Sequence, residues 1–549
     1  MKPIKPIAAV LSLVLAALLG LSVLITSPAP SGAVPATEFD ANRAAENLRV
    51  ISKDVHTNND AEAIGAVRAY LADTLREIGL EVETRTYEKD YEKAEHGHGT
   101  HVTAVDICGT LQGASDRSLL LVAHYDSNPG LGLGEAPGSH GASDDGYGVS
   151  VILETLRCVA ARGNLQNTIR VVFTDAEETS MLGSEAIAAD ADYNAAASDA
   201  IFNIESRGLS GPSILFETSA NNAALVRLYA VNNPHPASWS LATDVYRVMP
   251  NYTDFTAFIR QGMRGLNFSN LYKIEDNHTP RDVFENISLS AIQDYGEQVL
   301  PIVSAFAQGN VPDTFDSAED MAWFTLMRGV FVSFPAWMNW VWLALAATLL
   351  SLYMLLAFRQ GKLKFSRLLR TPVYLGFALA AAALGTGLAM LLAKVFGLGY
   401  SLTNLVGVPY FEWITGVLIV LLAFLLALYG RGRLKKGGTY EALVIPAILL
   451  SVLLALIFTL FFPGGAFLFS FGAIFASIVG IIALKFPAAG LFAGFAAVWI
   501  AAPVVALLLI ALTPGALGVA LMFATFPLFI GMPSVAAAFS QAKEKPMAA

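Results

Sequence analysis

Apolar positions follow two different rhythms along this chain. Between Thr37 and about Phe315 they come in short runs broken by charged and turn-forming residues. Ser118–Ala123 (SLLLVA), Thr168–Thr174 (TIRVVFT), Ala200–Ile204 and Gly265–Phe268 each read as a strand. Val149, Ile152, Leu153 and Leu156 recur at i, i+3, i+4 and i+7, which predicts a helix opening at Gly141-Ala142-Ser143-Asp144-Asp145-Gly146. Strands alternating with helical stretches predict an α/β domain.

Beyond about Arg328 nearly every position is apolar. Seven segments, near 333–358, 371–394, 410–430, 442–462, 465–484, 488–511 and 517–539, match the about 20 residues that cross a bilayer. Pro463–Gly464–Gly465 and Thr513–Pro514–Gly515 punctuate them as turns. A further apolar run, Ile7–Ile25, follows Lys2 and Lys5. It exceeds the roughly 7–15 residues of a cleaved signal core, which predicts an uncleaved anchor. The expected organisation is an anchor over 1–26, a Pro/Ser/Gly/Ala-rich linker over 27–36 and a globular domain over 37–315. A second linker follows over 316–332, then an α-helical seven-span bundle over 333–540 and a tail over 541–549.

Charge gives the bundle a direction. Arg359, Lys362, Lys364, Arg367 and Arg370 crowd one loop, and Arg431, Arg433, Lys435 and Lys436 another. With one span before the globular domain and seven after it, both loops, the first lysines and the tail residues Lys543 and Lys545 share one side. The positive-inside rule makes that side the cytoplasm. The globular domain is then expected outside it, periplasmic or lumenal, with both termini cytoplasmic. No acid or base occurs between Lys485 and Lys543, and Lys394, Glu412 and Glu441 fall at span ends. Such a bundle suits anchoring, or the binding of a lipid or partner, better than transport.

Composition sharpens this division. Hydrophobic residues make up 54% of the 549 and charged ones 15%, against roughly 25% charged in soluble domains. A net charge of −10 argues against nucleic acid as a partner. Cys108 falls in an apparent strand and Cys158 in an apparent helix; they are expected to be buried free thiols, with pairing left open for an extracytoplasmic domain. Asn251, Asn267, Asn277 and Asn286 sit in N-x-Ser/Thr sequences that read as chance.

The chemistry lies where strands end. Ser118–Ala123 runs into His124-Tyr125-Asp126, Thr168–Thr174 into Asp175-Ala176-Glu177-Glu178, and Ala200–Ile204 into Glu205; the loop after Gly265–Phe268 holds His278. In open α/β sheets that edge is where sites form. Singly, Asp144-Asp145 reads as helix capping, Glu177-Glu178 as a solvated turn and His278 as structural. As an ordered set, two imidazoles and three carboxylates make a ligand mix that suits zinc. One carboxylate can bridge two ions, and Glu177 remains to act as a base.

The series His124-x-Asp126, Asp144-Asp145 before a helix, Glu177-Glu178 followed by Leu182-Gly183-Ser184, then Glu205 and His278-Thr279, resembles peptidase family M28. The resemblance covers most of residues 45–305, and the attached bundle resembles the endoplasmic-reticulum and vacuolar membrane metallopeptidases of that family. It implies a mixed central sheet flanked by helices and two zinc ions per chain. In it Asp144 bridges the ions, His124 and Glu205 complete one site, and Glu178 and His278 complete the other. Glu177 is the general acid/base, and Asp126 holds the His124 ring. Glu205 stands where soluble members usually have Asp, and Tyr147 where they usually have Ser. The implied activity is an aminopeptidase acting on peptide or protein N-termini. A glutaminyl cyclase-like enzyme with a single zinc, and a non-catalytic receptor or chaperone-like protein on the same fold, are the competing readings; the complete ligand set weighs against both.

Overall fold

A computed structural model describes residues 4–94, 99–130, 138–249, 251–395, 411–511 and 517–541. Lys2, Thr513–Pro514–Gly515, Lys543 and Lys545 lie outside the described residues, as does the glycine-rich stretch 131–137. The chain forms two compact units: Leu24–Thr325 with Gly329–Ser333, and Met1–Val23 with Leu326–Arg328 and Phe334–Ala549.

The first unit is built on seven strands: β1 (Glu81–Asp90), β2 (His101–Leu111), β3 (Ser115–His124), β4 (Asn167–Thr174), β5 (Ala200–Ile204), β6 (Ile214–Thr218) and β7 (Gly265–Ser269). Their order is β1-β2-β4-β3-β5-β7-β6. The inner four, β4, β3, β5 and β7, run parallel, while β1, β2 and β6 are antiparallel to their neighbours. The mixed sheet is therefore parallel where it carries the site.

Parallel strands covered on both faces become continuously apolar, and Leu119–Ala123 of β3 is buried throughout. Its side chains alternate between two cores. Leu119, Leu121 and Ala123 pack with Val149, Ile152 and Tyr295, whereas Leu120 and Val122 pack with Ile201, Phe255 and Phe258. The first core seats the helices Gly146–Arg162 and Leu289–Ala307. Their starts are fixed by capping: Asp145 accepts the Gly148 N–H at 3.1 Å, and Ser288 accepts the Ala291 N–H at 3.2 Å. Cys108 and Cys158 are both buried and unpaired.

Two segments expected to be linkers are not free of structure. Met321–Met327 and Val330–Pro335 form a two-stranded sheet that occupies much of the expected 316–332 linker and runs three residues past it. Trp323 is buried there and its indole N–H donates to Ser238 Oγ at 2.7 Å. A large aromatic buries enough area to hold such a segment down. Near the 27–36 stretch, Ser27 is buried and its N–H donates to Asp294 Oδ1 at 3.2 Å.

The second unit is helical. Among the described residues eight helices are long and apolar enough to cross a membrane: Lys5–Leu24, Met338–Arg359, Phe365–Val395, Trp413–Lys435, Glu441–Phe461, Pro463–Lys485, Pro487–Ile510 and Leu517–Ser540. A helix satisfies its own backbone, which lipid cannot do. Close approach uses small residues: a Cβ at Gly480 would fall 2.3 Å from the Tyr353 ring. The two basic loops lie at one end of this unit, where Lys362 Nζ is 3.6 Å from Glu441 Oε1.

Candidate metal centre

Each inner strand delivers a polar side chain at its carboxyl end. His124 is the last residue of β3, Glu177 and Glu178 follow β4, Glu205 follows β5, and His278 stands in the loop after β7. Asp144 arrives from the turn that precedes the helix Gly146–Arg162. That helix can start over β5 only because residue 148 is glycine: a Cβ there would come within 2.1 Å of the Ile204 carbonyl oxygen. The Asp144–Asp145 peptide is cis.

Asp144 is the centre of the arrangement. Its Oδ1 lies 3.1 Å from His124 Nε2, and its Oδ2 lies 2.9 Å from His278 Nε2. Glu205 Oε1 is 3.8 Å from the same nitrogen of His124, and Glu178 Oε2 is 3.1 Å from that of His278. Two ligand triads result, His124–Asp144–Glu205 and Asp144–Glu178–His278, with the ligand atoms of each within 4.8 Å of one another. Glu177 belongs to neither; its Oε2 is 4.0 Å from His124 Nε2.

The surrounding hydrogen bonds hold this geometry. Asp282 accepts the Ser143 N–H at 2.7 Å, the Asp144 N–H at 3.3 Å and the Ser139 hydroxyl at 3.1 Å, which fixes the turn carrying Asp144. Tyr295 donates to the Glu205 carbonyl at 2.7 Å. Asn128 Nδ2 donates to Glu178 Oε2 at 2.8 Å. Tyr147 is buried; it donates to the Leu209 carbonyl at 2.9 Å and accepts the Ser288 N–H at 2.7 Å, so its ring ties the helix start to two loops. Ala176 (φ 64°) and His278 (φ 54°) adopt left-handed backbone. That costs an L-residue on the order of 1 kcal/mol or more and persists where neighbours over-determine it.

Asp126 meets the His124 ring through its backbone. His124 Nδ1 lies 3.0 Å from the Asp126 carbonyl oxygen but 3.5 Å from its carboxylate. The carboxylate instead accepts the N–H groups of Glu177 and Glu178, at 3.0 and 3.2 Å. Asp126 thus orients the imidazole through its backbone and the two glutamates through its side chain. The H-x-D spacing reveals the neighbourhood but not which oxygen faces the ring.

Charge completes the fit to a metal. Burial pushes the Glu205 carboxyl up to about 7, with Asp144 adding to the shift and His124 opposing it. Glu177 is raised well above the carboxylate range by burial, then by Glu205 and Glu178. Burial would raise Asp144 too, but hydrogen bonds from His124 and His278 hold it below that range. The Glu178 Oε1 atom is buried with no hydrogen-bond partner among the described residues. Buried carboxylates crowded around two imidazoles call for cations, and this oxygen and nitrogen donor set suits zinc.

Three nearby groups carried no sequence signal of their own or were not singled out. Asp282 is an isolated loop acid. Arg207, two residues past Glu205, donates to the Tyr252 carbonyl at 3.3 Å and feels Tyr246, Glu205 and Asp144, which offset its burial and keep it charged. The Tyr246 hydroxyl is buried without a hydrogen-bond partner among the described residues. Asp254 is buried and accepts a hydrogen bond from the Thr174 hydroxyl. Asn267 is fully buried and donates to Glu217 Oε2 at 2.9 Å, so its N-x-Ser sequence is closed to a glycan in the fold.

Residues 106–303 match the sequence profile of Peptidase family M28. The endoplasmic reticulum metallopeptidase 1 of Mus musculus is 24% identical over 322 residues, covering 54% of this chain and 34% of that protein. The vacuolar membrane protease of Candida albicans is 27% identical over 327 residues, covering 57% of this chain and 36% of that protein. The chain therefore spans about a third of the length of these curated relatives. An aminopeptidase from Aneurinibacillus sp. strain AM-1 superposes with a TM-score of 0.41 at 13% identity, over 50% of this chain and 95% of its own. The glutaminyl cyclase of Porphyromonas gingivalis gives 0.38 at 23% identity, over 48% of this chain and 98% of its own. Neither score reaches 0.5, so neither bears on activity.

Proposed function

Since residues 106–303 belong to peptidase family M28, we propose that this chain is a membrane-anchored zinc aminopeptidase with a two-metal centre. The observation that carries the reading is the sharing of Asp144: one buried carboxylate turns an oxygen to each of two imidazoles, and each pair has its own glutamate. His124, Asp144 and Glu205 would hold one zinc, and Asp144, Glu178 and His278 the other. Zinc supplies Lewis acidity and makes water a nucleophile at neutral pH.

The chain's own groups do the rest. Glu177 stands beside the triads yet completes neither; with bound cations offsetting the burial and the neighbouring glutamates that raise it, its carboxylate would take the proton of the attacking water and return it to the leaving amine. Asp126 clamps the backbone of Glu177 and Glu178, which fixes the base relative to its neighbouring ligand. The substrate class we assign is the N-terminus of a peptide or protein.

We further infer that the 37–315 domain faces the periplasm or a lumen. The two basic loops sit at one end of the bundle, tied by the Lys362–Glu441 pair, and basic loops stay cytoplasmic. The experiment is zinc analysis of the purified full chain, followed by turnover of a panel of aminoacyl substrates before and after chelation. Up to two zinc ions per chain and chelator-sensitive release of the first residue are expected. Cleavage only at internal bonds would overturn the aminopeptidase assignment, and activity without metal would overturn the centre.

A further inference from the structure

A cavity of ≈ 100 Å³ opens within the helical unit, at the end that carries the basic loops. Its wall includes Lys5, Lys362, Tyr440, Glu441 and Ser534. These come from four places in the chain: the start of the first span, the loop after Met338–Arg359, the start of Glu441–Phe461 and the end of Leu517–Ser540. The polar groups are organised. Ser534 donates to the Gly490 carbonyl at 2.6 Å, and the Tyr440 hydroxyl lies 3.3 Å from both that carbonyl and Ser534 Oγ. Lys362 Nζ donates to the Leu484 carbonyl at 3.2 Å and sits 3.6 Å from Glu441 Oε1. Alanine and leucine side chains, such as Ala483 and Leu491, supply the remaining wall.

The charges do not balance. Two ammonium groups face one carboxylate, so an excess of positive charge lines a half-apolar cavity. A second basic group lies at the same end of the unit, outside the cavity wall. Arg370 is 7% exposed; its Nη1 donates to the Ala442 carbonyl, while its Nη2 is buried without a hydrogen-bond partner among the described residues. Buried cations lacking acids are costly and mark places where an anion completes the site. Basic pockets between spans at the cytoplasmic end suit anionic headgroups.

We propose that this cavity binds a phosphate anion, and that its source is the headgroup of an anionic phospholipid. The two lysines present the donors that phosphate oxygens accept, and the apolar wall receives the glycerol end of the lipid. The proposal does not depend on the assignment of the metal centre.

The test uses the full chain purified in a neutral detergent, with thermal unfolding read while one additive is titrated. Phosphatidylglycerol, phosphatidylcholine and inorganic phosphate are the three additives. Phosphatidylglycerol should raise Tm saturably and phosphatidylcholine should not. Lys5→Gln and Lys362→Gln should each weaken the phosphatidylglycerol affinity about fivefold, or about 1 kcal/mol, the worth of one cation near an anionic surface. Glu441→Gln should strengthen it, an effect that mere structural damage would not produce. Lys5 is exposed, so its variant remains informative where Lys362→Gln fails to fold. Saturation by inorganic phosphate alone, lost in the same lysine variants, would support the anion site and replace the lipid as its source. A phosphatidylglycerol response that is absent, matched by phosphatidylcholine or unchanged in Lys5→Gln and Glu441→Gln would overturn the proposal.

Discussion

The Asp126 carboxylate accepts the Glu177 backbone N–H at 3.0 Å. The same residue holds the His124 ring through its carbonyl, so one side chain positions a proposed base while its backbone positions a proposed ligand. Asp126→Ala should leave the carbonyl in place and free the Glu177–Glu178 turn. The expected result is a 10–100-fold loss in zinc affinity, the usual cost of removing an outer partner of a ligand. Competition with a chelator of known affinity measures it. Unchanged affinity and turnover would show that the turn holds itself.

Asp144→Ala tests the shared carboxylate. It removes a ligand from both triads at once, so metal content measured by mass spectrometry should fall from two toward zero rather than to one. Retention of one tightly held zinc would mean that Asp144 does not bridge.

Glu177→Gln should separate chemistry from binding. The variant keeps every atom of both triads, so zinc content should match the parent while turnover falls by about 10²–10⁴-fold. Near-normal turnover would assign the proton transfer to another group.

Stability should respond to pH through Glu217. Burial pushes this carboxyl up to about 7, against the hydrogen bond from Asn267. The folded state then keeps a proton that the unfolded chain loses near pH 4, so stability falls as pH rises from about 4 to about 7 and stays reduced above that. Glu217→Gln keeps an acceptor for Asn267 and removes the charge. Its stability, read by thermal unfolding, should equal the parent's near pH 4 and exceed it above pH 7, by up to about 3 kcal/mol. Equal melting at both ends of the range would count against a buried, raised carboxyl.

Reporter fusions address sidedness. A fusion after residue 310 should report an external position, and fusions after 365 and 434 cytoplasmic ones, because the basic loops resist translocation. A cytoplasmic signal at 310 would move the proposed substrate pool to the cytosol.

Much of this was legible because it follows from periodicity and strand ends. The run SLLLVA is apolar on both faces, as a strand covered on both sides requires, and TIRVVFT is broken only by Thr and by the half-buried Arg170, so β3 and β4 and the residues after them stand out. The spans were legible for the same reason, since lipid demands an apolar side chain at almost every turn. Partnerships over long sequence distance were not. Asp282 reaches back 138 residues to the Asp144 N–H, and nothing local in its loop distinguishes it from a solvated acid. Trp323 sat in an expected linker because burial against Ser238 is decided by tertiary contact, not by neighbouring residues. The oxygen that Asp126 offers to His124 depends on a backbone turn, which the residue type does not encode.

The two triads differ in exposure. His124, Asp144 and Glu205 are all buried, whereas His278 is 45% exposed at its side chain. Two zinc ions bound as proposed would therefore sit in unlike surroundings. The inner ion, held by the buried triad, would exchange with solution more slowly than the outer one, held partly by His278. Isotopically enriched zinc added to the loaded protein should label one position quickly and the other slowly. Replacement by cobalt or manganese should begin at the outer position, giving a mixed-metal protein whose inner ion records how the chain was first assembled.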